Sequence, residues 1–188
     1  MLLNGVRKAA IAAKSRQVSG NEMERTMALS LRESVHLVSD PKNLDASVEE
    51  VFHLMLGVSC ERDPTPGPIG HDESVTAVVG FGGLLSGACV FRTGGPAAMK
   101  IAAHMTGMEF AEIDDTVKDG IGEICNMLAG AWKGKVPDLS ANCGLSVPAV
   151  ITGRDYNLHV QAPEFKLNHA YRFEDSVFDV TIICDGLQ

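Results

Sequence analysis

SVTAVVGFGGLLSGACVFRT, residues 74–93, is the stretch that decides the fold, because two apolar runs rich in β-branched residues flank a Gly82–Gly83 pair. Runs of this kind meeting at a glycine turn predict an antiparallel hairpin. The sequence on both sides reads as helix. Upstream, LDASVEEVFHLMLG (44–57) places Val48, Val51, Phe52, Met55 and Leu56 on one face. Downstream, PAAMKIAAHMTG (96–107) predicts a second helix closed by Gly107, where a residue without Cβ ends a helix cheaply. FAEIDDTVKDGIGEICNMLAGAWKG (110–134) is the third and longest, with Asp114 or Asp115 as its N-cap. LSVPAVITG (145–153), residues 155–161 and SVFDVTIICD (176–185) are further strand candidates, with LNHAYRFE (167–174) as an additional one. Helix, hairpin, helix pair and then strands imply an α+β fold, a mixed α/β sandwich. Two to three long helices would layer on a mainly antiparallel sheet.

Residues 1–40 differ from this pattern. They open MLLNGVRKAAIAAKSRQ, basic and helix-permissive, and lack proline until Pro41 breaks the run. They are read as an N-terminal helix-prone extension of unknown role, with a second helical segment at 21–38 and the domain proper at 41–188. Arg7, Lys8, Lys14 and Arg16 interrupt the opening before an apolar region forms, so it does not read as a signal peptide. No apolar run approaches a membrane span, and the expected compartment is the cytoplasm. A net charge of −8 without a basic stripe argues against nucleic acid as the main partner. Five widely spaced cysteines and six histidines form no C-x2-C or H-E-x2-H pattern. That makes reduced thiols the expectation and leaves no metal site to name.

The third helix carries the best clue to function. Asp119, Glu123 and Asn126 spell D-x3-E-x2-N, and spacings of four and three stack side chains on one face. At about 100° per residue, with Asp119 at zero, Glu123 falls near ~40°, Asn126 near ~340° and Gly130 near ~20°. Val117, Ile121, Ile124 and Leu128 gather near ~140–200° as a core stripe on the opposite side. Glycine inside a helix costs about 1 kcal/mol relative to alanine. Gly120, Gly122 and Gly130 therefore suggest close approach by a partner beside the polar pair. Trp132 reads as core or edge packing, and Lys133 shares the polar face, where it would meet an acidic partner.

Three pieces in order, T-G-M-E-F (106–110), I-G-E-I-C-N-M-L-A-G (121–130) and P-A-V-I-T-G-R-D (148–155), carry a family resemblance. The stretch from Lys100 to Leu158 resembles the CheX branch of the CheC/CheX/FliY chemotaxis phosphatases, and at fold level the likeness spans roughly residues 43–185. The resemblance implies an enzyme acting on the aspartyl phosphate of a CheY-like response regulator, which brings its own Mg²⁺; the chain needs no cofactor of its own. It implies that Asn126 orients the attacking water and Glu123 pairs with the regulator's lysine. Asp119, Gly122, Gly130 and Lys133 would shape or dock the face. It also implies a homodimer.

Family members with two active helices carry the motif twice. The first helix here offers Ala46, Glu50 and His53 in that register, without the asparagine, so one working site is expected. The competing reading is a non-catalytic module of the same fold that docks a regulator or a flagellar or signalling partner.

Overall fold

The computed structural model describes residues 38–65, 69, 73–154, 156, 159 and 163–187. The expected extension at 1–40 and helix at 21–38 lie outside these residues up to 37. So does most of the strand candidate at 155–161, of which Tyr156 and His159 are described and belong to no strand. In chain order the elements are α1 (Pro41–Leu56), β1 (Glu61–Arg62), β2 (Ser74–Gly83), β3 (Leu85–Gly94), α2 (Gly95–Thr106), α3 (Asp115–Gly134), α4 (Pro137–Asn142), β4 (Cys143–Leu145), β5 (Ala149–Gly153), β6 (Phe165–Phe173) and β7 (Ser176–Leu187). Neighbouring strands run β1-β6-β7-β3-β2-β4, with β5 also pairing to β2, and all pairs are antiparallel. The expected α+β sandwich is the observed architecture.

The 74–93 hairpin forms the centre of the sheet, with Val78 opposite Val90 and Phe81 opposite Gly87. Its tip serves a second purpose. Gly82 and Gly83 pair with Gly144 and Cys143 of β4. At Gly83 φ is 113°, and a Cβ there would stand 2.4 Å from the Asn142 carbonyl oxygen, so only glycine fits. Gly107 closes α2 as expected, with φ 72° and its N–H donating to the Ala103 carbonyl.

Three boundaries depart from the sequence reading. Helix α1 begins at Pro41, three residues before the Leu44 start of the sequence reading, because Asp40 accepts from the Lys42 N–H at 3.0 Å and proline suits the first turn. LSVPAVITG is two strands, β4 and β5, with Ser146–Pro148 between them. Met55 is exposed, and Leu44 joins Val48, Val51, Phe52 and Leu56 on the buried face of α1.

Alternation along the strands divides the sheet into two faces. On one side Val75, Ala77, Val79, Cys89, Phe91, Phe178, Val180 and Ile182 are buried beneath the helices. Phe52 of α1 is central there, stacked on Phe178 at 4.5 Å between ring centroids and 5.5 Å from Phe173. A polar clasp also holds α1 to β6, as Asp45 Oδ1 accepts from the Tyr171 hydroxyl at 2.7 Å and lies 3.0 Å from His169 Nδ1.

The other face is polar. Arg92 lies over the Tyr156 ring, and the Tyr156 hydroxyl donates to Thr76 Oγ1 at 2.5 Å. Asp179, opposite Arg92 in the β3–β7 register, has its carboxyl pKa raised by burial, which outweighs the attraction of Arg92 and the hydrogen bond from Asn168. The folded chain thus holds this proton to a higher pH than the unfolded chain does. Stability falls as pH rises between the two values, and the full penalty stands above both. Asp179→Asn is therefore expected to raise the melting temperature at about pH 7 and to leave it unchanged near pH 3, where both states are protonated. Thermal scans at the two pH values check this.

Candidate functional site

Helix α3 sits in the middle of the helical layer, packed on β2, β3 and both other long helices. Asp114 is its N-cap, accepting from the Val117 N–H at 2.9 Å. The expected core stripe is present, since Val117, Ile121, Ile124 and Leu128 are all buried. Gly122, Cys125, Ala129 and Trp132 are buried as well, so the covered arc of the helix is wider than one sheet would demand. Trp132 fills the core against Phe81, with centroids 5.2 Å apart.

Asp119 and Glu123 remain exposed on the free face, and Asn126 is half-buried one turn further on. Helix geometry places Asn126 about 4.5 Å along the axis from Glu123, and Glu123 about 6 Å from Asp119. Neither the Glu123 carboxylate nor the Asn126 amide makes a hydrogen bond or ion pair among the described residues. An exposed carboxylate and a half-buried carboxamide thus stand side by side, uncommitted to any partner among the described residues. Together they can meet a cation and hold a water, since the amide both donates and accepts. Beside them Gly130 leaves open space where a side chain would stand, with nothing within 4 Å of a Cβ placed there.

The other glycines have internal reasons. A Cβ on Gly120 would meet Met105 and Ala102 of α2 at 3.5 and 3.7 Å. One on Gly122 would meet Pro148 and Val150 at 3.4 Å each. Gly122 is therefore not part of an open docking face. It lets the β4–β5 segment close against α3, along the same helical row as Asn126.

Lys133 is also corrected from docking to structure. Its Nζ donates to the Cys143 carbonyl at 2.7 Å and to Ser140 at 3.1 Å, which ties down the end of α4 and the start of β4. On the corresponding face of α1, Glu50 is ion-paired with Lys135 and His53 is exposed.

Sequence reasoning missed the wall formed by Pro148 and Val150. The one available signal was a glycine buried beside a polar row, and that does not say which segment approaches. Among the described residues no three His, Cys, Asp or Glu side chains come together as a metal site, and no helix is long and apolar enough to cross a membrane.

Comparison with known proteins agrees with this fold. The family model described as "Chemotaxis phosphatase CheX" matches residues 75–168, which include the whole of α3. A CheY-P phosphatase CheX from Thermotoga maritima is 30% identical over 119 residues, covering 61% of this chain and 76% of that protein. Among solved structures, the chemotaxis protein CheX from Vibrio vulnificus superposes with a TM-score of 0.66 at 18% identity, over 77% of this chain and 95% of that one. The CheX chain in the CheX–CheY–BeF3–Mg²⁺ complex from Borrelia burgdorferi superposes with a TM-score of 0.62 at 18% identity, over 77% of this chain and 97% of that one.

Proposed function

Because the chain belongs to the family of chemotaxis phosphatases typified by CheX, we propose that it is a hydrolase that removes the phosphoryl group from the aspartyl phosphate of a CheY-like response regulator. The observation that carries this reading is the pair on α3, an exposed Glu123 and a half-buried Asn126 without a hydrogen-bond or ion-pair partner among the described residues. Phosphoryl transfer to water asks mainly for positioning and charge neutralisation, which a helix face entering another protein's site can supply.

In this mechanism Asn126 reaches the phosphorylated aspartate and aligns a water opposite the leaving carboxylate oxygen. The water oxygen bonds to phosphorus as the bond from phosphorus to the aspartyl oxygen breaks. The water proton ends on the released phosphate, and the regulator recovers its carboxylate. Glu123 pairs with a lysine of the regulator, fixing the helix at the right depth. Asp119, one turn earlier, orients that approach electrostatically. Mg²⁺ belongs to the regulator and neutralises phosphoryl charge there. A second copy is expected to pair along a free sheet edge, and the setting is expected to be the cytoplasm.

Reversing the charge at Glu123 tests the pairing. Glu123→Lys is expected to weaken affinity for the activated regulator on the order of 10-fold or more at low salt. The difference should shrink as salt rises. Titration at two ionic strengths reads this, and an unchanged affinity at both would remove Glu123 from the interface.

A further inference from the structure

We infer that the β4–β5 connection, residues 146–148, is a second contact element for the response regulator, with Val147 as its apolar anchor. The inference rests on the phosphatase reading of α3 and extends its footprint sideways. Val147 is 87% exposed, the most exposed large hydrophobic side chain among the described residues. Single exposed hydrophobics are ordinary, so exposure alone argues nothing. Rigidity and position do.

Ser146 is fastened on both sides. Its N–H donates to the Gly80 carbonyl at 2.9 Å, and its Oγ accepts from the Gly80 N–H at 2.8 Å and donates to the Val147 carbonyl at 3.0 Å. After Val147 comes Pro148, which lies 3.4 Å from where a Cβ on Gly122 would stand. A residue before proline is confined to extended backbone. Val147 is therefore held between an anchored serine and a wedged proline, not carried on a loose loop.

The wedge stands at the level of Gly122, one residue from Glu123 and one turn from Asn126. A partner close enough to receive the Asn126 amide also lies over this connection. The free face of α3 presents Asp119 and Glu123, while the connection beside it presents Val147. The matching surface is a folded receiver domain with a basic side chain at its phosphorylation site and an apolar patch immediately beside it. Burying a valine side chain at such a contact is worth about tenfold or more in affinity.

The test titrates the full-length chain with a CheY-type regulator activated by beryllofluoride and Mg²⁺, and measures dephosphorylation in parallel. Val147→Asp is expected to raise Kd and KM at least tenfold with kcat unchanged, and Val147→Ile to stay within twofold of wild type. If Asn126→Ala keeps its turnover while Val147→Asp still weakens binding, the catalytic assignment falls and the docking proposal stands. Affinity of Val147→Asp within twofold of wild type overturns the proposal. Loss of self-association at unchanged regulator affinity also overturns it, by giving Val147 to a second copy of this chain. Wild type that binds no activated regulator overturns both readings.

Discussion

Asn126→Ala is expected to abolish acceleration of regulator dephosphorylation, a loss of about 10²-fold or more in rate, with little change in binding. The magnitude is that of removing one preorganised donor aimed at the reacting group. The reason for the split is local. Asn126 makes no hydrogen bond among the described residues, so its removal costs the fold nothing there. Its amide does its work only when a water and a phosphoryl group are present, so the loss falls on kcat more than on KM. Asn126→Asp is expected to do no better, because a carboxylate has no N–H to donate and sets a second negative charge against the phosphoryl oxygens. Single-turnover decay of the phosphorylated regulator, with affinity measured separately, checks both variants. A variant that keeps full turnover would take Asn126 out of the mechanism.

The largest expected effect on stability is at Phe52. Truncating it to alanine empties the middle of the Phe91, Phe173 and Phe178 cluster, whose rings lie 6.5, 5.5 and 4.5 Å away. Phe→Ala in a packed core costs about 3–5 kcal/mol, at least about a third of the stability of many domains. Function should suffer through the same packing. Helix α1 braces α3 across their shared core and through the Glu50–Lys135 ion pair, so a loosened α1 lets α3 drift. Urea denaturation of wild type and Phe52→Ala measures the loss directly. A loss below about 1 kcal/mol would mean that the aromatic cluster is not what seats α1.

Much of this was legible in the chain because the signals are local. Val75, Val78, Val79 and Phe81 make a short β-branched and aromatic run up to the Gly82–Gly83 pair, which is enough to announce a strand. Val117, Ile121, Ile124 and Leu128 repeat at helical spacing, and Asp114 sits where a cap must. The E-x2-N pair stands out by the same arithmetic, since everything that decides which face it occupies lies within one helix.

What was not legible depends on segments distant in sequence. Glu61 and Arg62 form a strand because Arg172 and Tyr171 lie opposite them, and two polar residues in a Pro/Gly loop give no sign of it. Gly122 is small because Pro148 and Val150 press on it, and helical spacing does not distinguish that from a visiting partner. Lys133 falls on the polar side of the helical wheel, yet the turn into α4 brings the Ser140 and Cys143 carbonyls within reach and claims its charge. Pro137, just past the end of α3, is the first residue of the next helix, α4.

The most direct test of the central claim is phosphate release from an excess of phosphorylated CheY-type regulator, with Mg²⁺ present and a substoichiometric amount of the full chain. The account predicts many phosphates released per chain at a rate well above the regulator's own decay. Binding to the phosphorylated regulator with decay at its intrinsic rate would contradict it, and would make the protein a docking module built on a phosphatase fold.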